Sequence, residues 1–286
     1  MGLLGAALAQ ERAGGLVEAR RRYEQVLRIA PRNRDALNLL GRLFALGGEL
    51  EQGMRLLRRG LAFAPNFAGA RINLCWALLQ AGRPKEAAAQ AETGLASAPG
   101  DPMLLHNRGI ALHRLQRPAD GLACFEQALA AGHPQPADLL ADGGLALREL
   151  DRPQAAMQRY EAALALRPDA AILQFARAQC ALATGDLATG WEGFEHRLSG
   201  LPGGTPAWFA QHRLQPGEAV AGQTILLRAE QGFGDSIQFC RYARLLTEAG
   251  ARVLTEAPAP LHRLLQTLHG VTAIVEPGDE LPPFDR

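Results

Sequence analysis

The chain lacks the compositional marks of several classes of protein. Its 30 Lys and Arg residues are offset by 29 Asp and Glu residues, and the net charge of +1 creates no long-range attraction to nucleic acid or to an anionic membrane. The four cysteines lie far apart and form no CxxC or Cys/His cluster with metal-ligand spacing. We therefore predict no nucleic-acid or membrane partner, and buried free thiols in the reducing cytoplasm.

The apolar opening segment, MGLLGAALAQ, also lacks the features of a targeting signal. It has no basic leader, it is too short to span a bilayer, and it continues directly into the charged residues Glu11 and Arg12. We interpret it as a helix of a folded domain. The 48% hydrophobic content of the 286 residues is ample for a packed core.

Proline recurs along the chain at a fixed interval. Pro31, Pro65 and Pro99 are 34 residues apart, Pro134 follows with one residue inserted, and Pro168 lies a further 34 residues on. Each proline closes a block that contains a helical stretch, a short turn and a second helical stretch. Because proline lacks an N–H and disfavours helical geometry in the preceding residue, it ends the second helix.

Small and large residues alternate at fixed positions within these blocks. Small residues that let two antiparallel helices approach closely recur at Gly41, Cys75, Gly109 and Gly144, and again at Gly53, Ala87, Gly121 and Ala156. Four residues beyond the second set, mostly larger residues that can interlock with the small ones stand at Leu57, Ala91, Phe125 and Tyr160. The spacing therefore predicts repeated, closely packed helical hairpins.

This combination of small, small, aromatic and closing proline resembles the tetratricopeptide repeat (TPR) from about residue 1 to residue 200. The usual early Trp is replaced by Leu37, Arg71, Leu105 and Leu140, and the sixth block has no closing proline, as is common in terminal repeats. The resemblance implies a mainly α fold, a TPR helix-turn-helix solenoid of about six repeats. Its concave groove is predicted to bind a protein or peptide.

Polar side chains on the first helix of each repeat are the candidates for peptide binding. Asn73 and Asn107 occupy the same place in consecutive repeats, Asp142 follows in the next, and Asn38 sits one residue earlier in its own repeat. An amide offers both a donor and an acceptor, so a ladder of asparagines can hold a peptide backbone of any sequence. Repeat domains attached to protein O-glycosyltransferases, which these repeats resemble, carry such a ladder.

A second interpretation is that these residues are solvated polar groups on helix surfaces. Arg42, His106, His113 and Arg148 share both interpretations. His106 and His113 are also seven residues apart on one helix, a spacing that fits two metal ligands, but no third ligand accompanies them. We predict no metal and no cofactor.

A change of composition follows the repeats. The Gly- and Pro-rich segment LSGLPGGTPAW indicates a domain boundary, and we expect a linker over residues 201–223. Beyond it, TILLRAE, ARVLTEA and VTAIV predict three parallel strands, with helices over about residues 235–249 and 260–268 between them. Residues 224–286 are therefore interpreted as a small, incomplete α/β Rossmann-like segment.

A glycine-containing loop lies between the first of these strands and the helix after it. At Gly232-Phe233-Gly234-Asp235-Ser236, backbone N–H groups and the helix dipole favour an anion. The loop is neither a complete GxGxxG motif nor a P-loop. A simpler alternative is that Asp235 or Ser236 caps the helix.

The segment AEQGFGDSIQFCRYARLL resembles bacterial TPR proteins that carry a GT-B glycosyltransferase-like domain, similar to O-GlcNAc transferases and heptosyltransferases. The flanking segments GDLATGWEGFEHRL, GARV and LPPFD agree. The resemblance implies that Asp235 is a candidate general base for an acceptor hydroxyl. It also assigns to the acceptor cleft Glu230, Gln231, Gly232, Gly234, Ser236, Gln238 and Arg241, although packing explains the four with longer side chains equally well.

Three functions remain open for this cytoplasmic chain. The first is a scaffold that binds a protein and presents it to a glycosyltransferase site elsewhere. The second is an enzyme with Asp235 as its base, and the third is an adaptor with a degenerate transferase segment. GT-B enzymes bind the sugar nucleotide mainly on a second Rossmann-like domain, so we expect a sugar nucleotide to bind only in a longer parent protein. The chain alone is predicted to be inactive.

Overall fold

The structure is a computed structural model that describes residues 2–200, 213–215, 217–230 and 232–286, with the side chains of residues 198–200 excepted. The chain divides into two compact units, Met1–Gly200 and Leu201–Arg286. Within the predicted linker, residues 201–212 and Pro216 lie outside the described residues.

The first unit is a series of antiparallel helical pairs in which each helix packs mainly on the next one. The predicted solenoid of six helix-turn-helix repeats is confirmed. None of the helices in the described part of the chain has the length and apolar character needed to cross a bilayer. The helices are α1 (Leu3–Arg12), α2 (Leu16–Ile29), α3 (Arg34–Leu46), α4 (Leu50–Phe63), α5 (Ala68–Gln80), α6 (Pro84–Ser97), α7 (Pro102–Arg114), α8 (Pro118–Ala130), α9 (Pro136–Glu149), α10 (Pro153–Leu166), α11 (Ala171–Ala183) and α12 (Leu187–Phe194), followed by a 3₁₀ helix, Glu195–Gly200.

Local sequence explains where these helices begin. Proline occupies the first turn of α6, α7, α8, α9 and α10, where its missing N–H costs no hydrogen bond. Asn33 caps α3, because its Oδ1 accepts a hydrogen bond from Ala36 N at 2.9 Å. Asp101 caps α7 in the same way and accepts from Met103 N and Leu104 N, each at 3.0 Å.

The turn inside each repeat contains one residue with a left-handed backbone conformation. These residues are 34 or 35 positions apart, at Gly14, Gly48, Gly82, Gln116, Asp151 and Gly185. Four of them are glycines, which adopt this conformation without strain. Gln116 and Asp151 have φ values of 61° and 54°, so the repeat imposes the same turn where the sequence does not favour it.

The small residues allow helices to approach as closely as predicted. A Cβ atom added to Gly53 would lie 2.6 Å from the carbonyl oxygen of Gly41 in the other helix of the pair. One added to Gly109 would lie 2.4 Å from Cε1 of Phe125. Phe125 is only 3% exposed, so the bare glycine surface is covered by an aromatic ring.

The cysteines are free, and three of them are buried as predicted. Burial raises the pKa of the Cys75 thiol to about 12, so this thiol is unreactive at neutral pH. The prediction is wrong for Cys240, which is partly exposed because it lies directly after the end of a short helix of the second unit rather than within one.

The second unit contains a parallel sheet of three strands in the order β1-β2-β3. Ile225 of β1 pairs with Val253 of β2, which pairs in turn with Val271 of β3. The predicted strands are confirmed. The elements are β1 (Thr224–Arg228), α13 (Phe233–Phe239), α14 (Tyr242–Glu248), β2 (Arg252–Glu256), α15 (Ala259–Leu265) and β3 (Val271–Val275).

The helix predicted over residues 235–249 is instead two short helices, α13 and α14. Side chains compete for the carbonyl groups at the break: Cys240 Sγ donates to Ile237 O at 3.0 Å, and Arg241 Nε donates to Gln238 O at 2.8 Å. Ala243 N then donates to the carbonyl of Cys240, only three residues back. The helix therefore tightens at residues 240 and 241, whose backbone angles stay in the right-handed helical region.

The last residues of the chain lie along the free edge of β1. Leu226 N donates to Arg286 O at 2.7 Å, and Thr224 N donates to the Asp285 carboxylate at 2.8 Å. The Arg286 side chain also lies 3.2 Å from Glu218. Edge N–H groups of β1 are therefore hydrogen-bonded rather than left open for another strand.

Candidate functional site

The odd-numbered helices of the first unit form one layer. Besides packing on its sequence neighbours, α5 contacts both α3 and α7, and α7 contacts α9. The even-numbered helices of successive repeats contact one another less extensively than the odd-numbered helices do. The odd-numbered helices are therefore closer together and form the inner side of the stack. We call the surface of this layer the inner face.

The predicted asparagines join neighbouring repeats across the inner face. Asn73 Nδ2 donates to Asn38 Oδ1 at 2.7 Å, and Asn107 Nδ2 donates to the carbonyl oxygen of Ile72 at 3.2 Å. Asn38 is 9% exposed and Asn107 is 6% exposed, so neither is a solvated surface group. Of the three amides, the structure leaves Asn73 partly exposed.

The predicted charged residues also pair between repeats. Arg42 of α3 forms an ion pair with Glu11 of α1, whose carboxylate accepts the hydroxyl of Tyr23 at 2.7 Å. Arg148 of α9 donates to the side chain of Gln179 on α11. These contacts hold the inner helices in register and occupy part of the hydrogen-bonding capacity of both arginines.

The two histidines of α7 pair with acids of α9. His106 Nε2 lies 2.7 Å from Asp142 Oδ2, and His113 Nε2 lies 3.0 Å from Glu149 Oε2. Each histidine thus has its own carboxylate. Among the described residues, no group of three or more His, Cys, Asp or Glu side chains is placed to hold a metal ion.

Sequence reasoning identified Arg42 but missed the row of residues on the inner face to which it belongs. The row stands one position after the first set of small residues, at Arg42, Trp76, Ile110 and Leu145, and all four are partly exposed. We call it the inner row. The signal was present in the sequence, because these positions share the interval of 34 or 35 residues with the small residues that precede them. The row gives the inner face an apolar strip with a cation at one end.

His133, which the sequence analysis also missed, lies beneath the inner face. It belongs to the turn between α8 and α9 and is 4% exposed, with its ring centroid 4.8 Å from that of His106. Its Nδ1 accepts a hydrogen bond from Gln135 N at 3.1 Å, which places the proton of the neutral ring on Nε2. Burial, and then the nearby His106, lower the pKa of His133, while Asp138 and Asp101 partly oppose this.

The unfolding free energy is therefore expected to fall as the pH drops below the ordinary histidine pKa of about 6.5. Below that value the unfolded chain takes up a proton that folded His133 resists, so acid favours unfolding. His133→Asn retains an acceptor for Gln135 N without titrating. Urea unfolding at pH values between about 7 and 5 should show a shallower decline for this variant. An identical decline in the wild type and in His133→Asn would contradict the assignment of this pH dependence to His133.

In the second unit, the glycine loop is open and its candidate residues are largely exposed. A Cβ atom added to Gly232 or Gly234 would meet nothing within 4 Å. Asp235 is exposed in the first turn of α13, and the Ser236 hydroxyl donates to Gly232 O at 3.2 Å. The residue at the N-cap of α13 is Gly232, so neither side chain occupies the cap position itself.

The remaining described candidates of the acceptor cleft are exposed. Glu230 and Gln238 are exposed, and Arg241 turns back to the carbonyl of Gln238. Gln231 lies outside the described residues.

A buried acid near this loop was not predicted. Glu256, the last residue of β2, is 4% exposed, and its carboxylate lies 2.6 Å from Arg228 Nε at the end of β1. Both residues stand at the carboxyl ends of parallel strands, where α/β sheets bind their ligands. A run of alternating residues such as ARVLTEA gives no sign that its final Glu is buried.

The comparisons with known proteins agree with this geometry for the first unit. The sequence matches two profiles described as tetratricopeptide repeat, one over residues 12–68 and 48–106 and the other over residues 141–189. With helical pairs throughout residues 3–194, the first unit is a tetratricopeptide-repeat solenoid and belongs to that family.

By sequence, the chain is similar to Protein FlbA of Caulobacter vibrioides. The two are 26% identical over 248 residues, which cover 85% of this chain and 41% of FlbA. The chain therefore spans about two fifths of the length of that relative.

Solved structures share the fold of the first unit. The APC/C hetero-tetramer Cut9-Hcn1 has a TM-score of 0.63 at 20% identity and covers 69% of this chain and 39% of its own. PilW, a type IV pilus biogenesis factor, has a TM-score of 0.63 at 19% identity, with 69% and 90% covered. Pseudomonas aeruginosa pilF has a TM-score of 0.54 at 22% identity, with 59% and 77% covered. At these identities the likeness shows the fold alone.

Proposed function

We propose that the first unit is a scaffold that binds a protein segment in extended conformation along its inner face. The observation that carries this proposal is the inner row, in which Trp76, Ile110 and Leu145 recur at repeat spacing and remain partly exposed. Apolar side chains at this spacing can accept successive side chains of an extended peptide. The partly exposed amide of Asn73 lies close to the row and can bond the peptide backbone.

A peptide selected from a random phage-displayed library against the 286-residue chain tests this proposal. Binding of the synthetic, fluorescently labelled peptide should weaken about ten-fold or more in Trp76→Ala, because an aromatic anchor carries a large share of the affinity. Phe63→Ala is the matched control, since Phe63 is an aromatic residue of the even-numbered helix α4 and is 44% exposed. Equal affinities for wild type and Trp76→Ala would contradict the proposal.

We further propose that the bound protein is an acceptor for glycosylation and that the second unit is the beginning of a GT-B-like domain. Support comes from the parallel order of β1, β2 and β3, with the glycine loop at the carboxyl end of β1. In this proposal Asp235 takes the proton of the acceptor hydroxyl as the oxygen attacks the anomeric carbon, and the sugar nucleotide binds in a longer parent protein.

Calorimetric titration of UDP-N-acetylglucosamine tests where the donor site lies. The 286-residue chain is expected to give no saturable heat, because the proposed donor site is outside it. Saturable binding would contradict that assignment without affecting the scaffold proposal, which rests on a different face and a different probe.

A further inference from the structure

A cleft near the C-terminal end of the first unit is separate from the inner row. It lies between α10, α11 and α12 and has a volume of about 440 Å³, within the usual range for small-molecule sites. Four ionisable side chains line it: Glu161 of α10, Arg177 of α11, Glu192 of α12 and His196 of the 3₁₀ helix.

These ionisable side chains are uncommitted. In the described part of the chain, none of the four forms a hydrogen bond or an ion pair. The Nε atom of Arg177 is, in addition, buried away from water. Elsewhere on the solenoid, comparable residues are paired between repeats, as in the contact of 2.8 Å between Arg159 and Glu126. Arg108 Nε is likewise buried without a partner, but Arg108 Nη2 lies 3.5 Å from Glu92. A guanidinium that is partly withdrawn from water without an acceptor loses hydrogen bonds, and a ligand can restore them.

The repeats provide an internal comparison for this site. Arg108 is the seventh residue of α7 as Arg177 is of α11, and Glu92 is the ninth residue of α6 as Glu161 is of α10. In the earlier repeat the two side chains form an ion pair of 3.5 Å. The equivalent pair, between Arg177 and Glu161, is absent from the described residues, and both side chains face the cleft instead.

One difference between the two repeats lies directly beside the arginine. Arg108 Nη1 lies 3.9 Å from Sγ of Cys124, the seventh residue of α8. The seventh residue of α12 is Gly193, which lines the cleft and provides no side chain against Arg177. The cleft therefore lies where the earlier repeat has a cysteine side chain against its arginine.

The charges of the lining define the ligand. A guanidinium prefers a carboxylate, whereas Glu161 and Glu192 prefer cations. The two carboxylates and the one guanidinium together carry a net charge of −1. A molecule with one carboxylate and two cationic groups matches this set. We propose that the cleft binds a free basic amino acid, with its carboxylate on Arg177 and its two cationic groups on Glu161 and Glu192.

Titration of the 286-residue chain with L-lysine, followed by ¹⁵N NMR, tests this site. Lysine should shift the amide signals of α11 and α12 saturably. Norleucine lacks the side-chain ammonium and cadaverine lacks the carboxylate, so each should bind at least about ten-fold more weakly. Absence of saturable shifts with lysine, or equal affinities for all three compounds, would overturn the proposal.

Variants separate a specific site from general charge effects. Arg177→Gln is expected to weaken lysine binding at least about ten-fold without weakening the binding of cadaverine, because only lysine offers a carboxylate. Glu192→Gln, at an exposed position where folding is not at risk, should weaken the binding of both lysine and cadaverine. Arg108→Gln, the matched variant of the filled repeat, should retain wild-type affinity. Lysine binding that survives both Arg177→Gln and Glu192→Gln would refute the site.

Discussion

Gly144→Ala is expected to lower the unfolding free energy by about 1–3 kcal/mol, as overpacking of a core typically does. A Cβ atom at this position would lie 2.7 Å from Cε1 and 2.8 Å from Cζ of Tyr160. Tyr160 is 2% exposed, and its ring is enclosed by other core residues. The ring has no free direction in which to move, so α9 and α10 must separate or the ring must leave its rotamer.

The neighbouring residue of the same helix provides the control. A Cβ atom at Gly143 would meet only Leu122 Cδ1, at an ordinary contact distance of 3.6 Å. Gly143→Ala should therefore raise the unfolding free energy by about 0.5–1 kcal/mol, because alanine loses less backbone entropy in a helix. Urea unfolding followed by circular dichroism measures both variants. Effects of the same sign would contradict the proposed packing of α9 on α10.

The repeat architecture could be predicted from the sequence because one spacing recurs in several independent features. The closing prolines, the glycines at close contacts and the glycines of the turns all follow the same interval. Each has a local cause: a missing N–H, a missing Cβ or a positive φ angle. Agreement among such signals makes the fold of residues 3–194 predictable from the sequence alone.

The inner face was less predictable, because its properties arise from contacts between repeats. Asn38 and Asn107 are polar residues of typical surface type, yet inter-repeat packing buries them. Arg71 is also buried, with its guanidinium bonded to Gln90 Oε1 at 2.9 Å and to the carbonyl oxygen of Pro65. Repeat spacing identifies equivalent positions, but it does not show which of them will be covered by the next repeat.

The cleft between α10, α11 and α12 illustrates the same limit of prediction from sequence. Arg108 and Arg177 are equivalent in the sequence, and so are Glu92 and Glu161. Arg108 contacts Cys124 of the following helix and pairs with Glu92, whereas Arg177 lines an open cleft beside Gly193. A residue on the second helix of a repeat thus affects the surroundings of a side chain on the first helix of that repeat. Sequence comparison of single repeats could not have revealed this.

Leu104→Ala is expected to have the largest effect, a loss of about 2–5 kcal/mol in unfolding free energy. Leu104 is fully buried and belongs to a cluster with Cys75 and Ala91, which joins α7 to α5 and α6. Its Cδ1 atom lies against Gly94, where an added Cβ would be only 2.6 Å away. Truncation leaves a cavity at the junction of two repeats, where both contribute walls and neither can collapse alone.

The position of this cavity also predicts how the loss of stability is distributed among the repeats. In a solenoid each repeat is stabilised mainly by its neighbours, so a weak central junction uncouples the repeats on either side. Hydrogen exchange followed by mass spectrometry should show the greatest loss of protection in α5, α6 and α7, with smaller changes toward both ends of the unit. Leu46→Ala, at a leucine that is 56% exposed, should change stability by less than about 0.5 kcal/mol. A uniform loss of protection across all helices would instead indicate that the unit unfolds as one cooperative body, because the cost of a cavity would then be shared by every repeat.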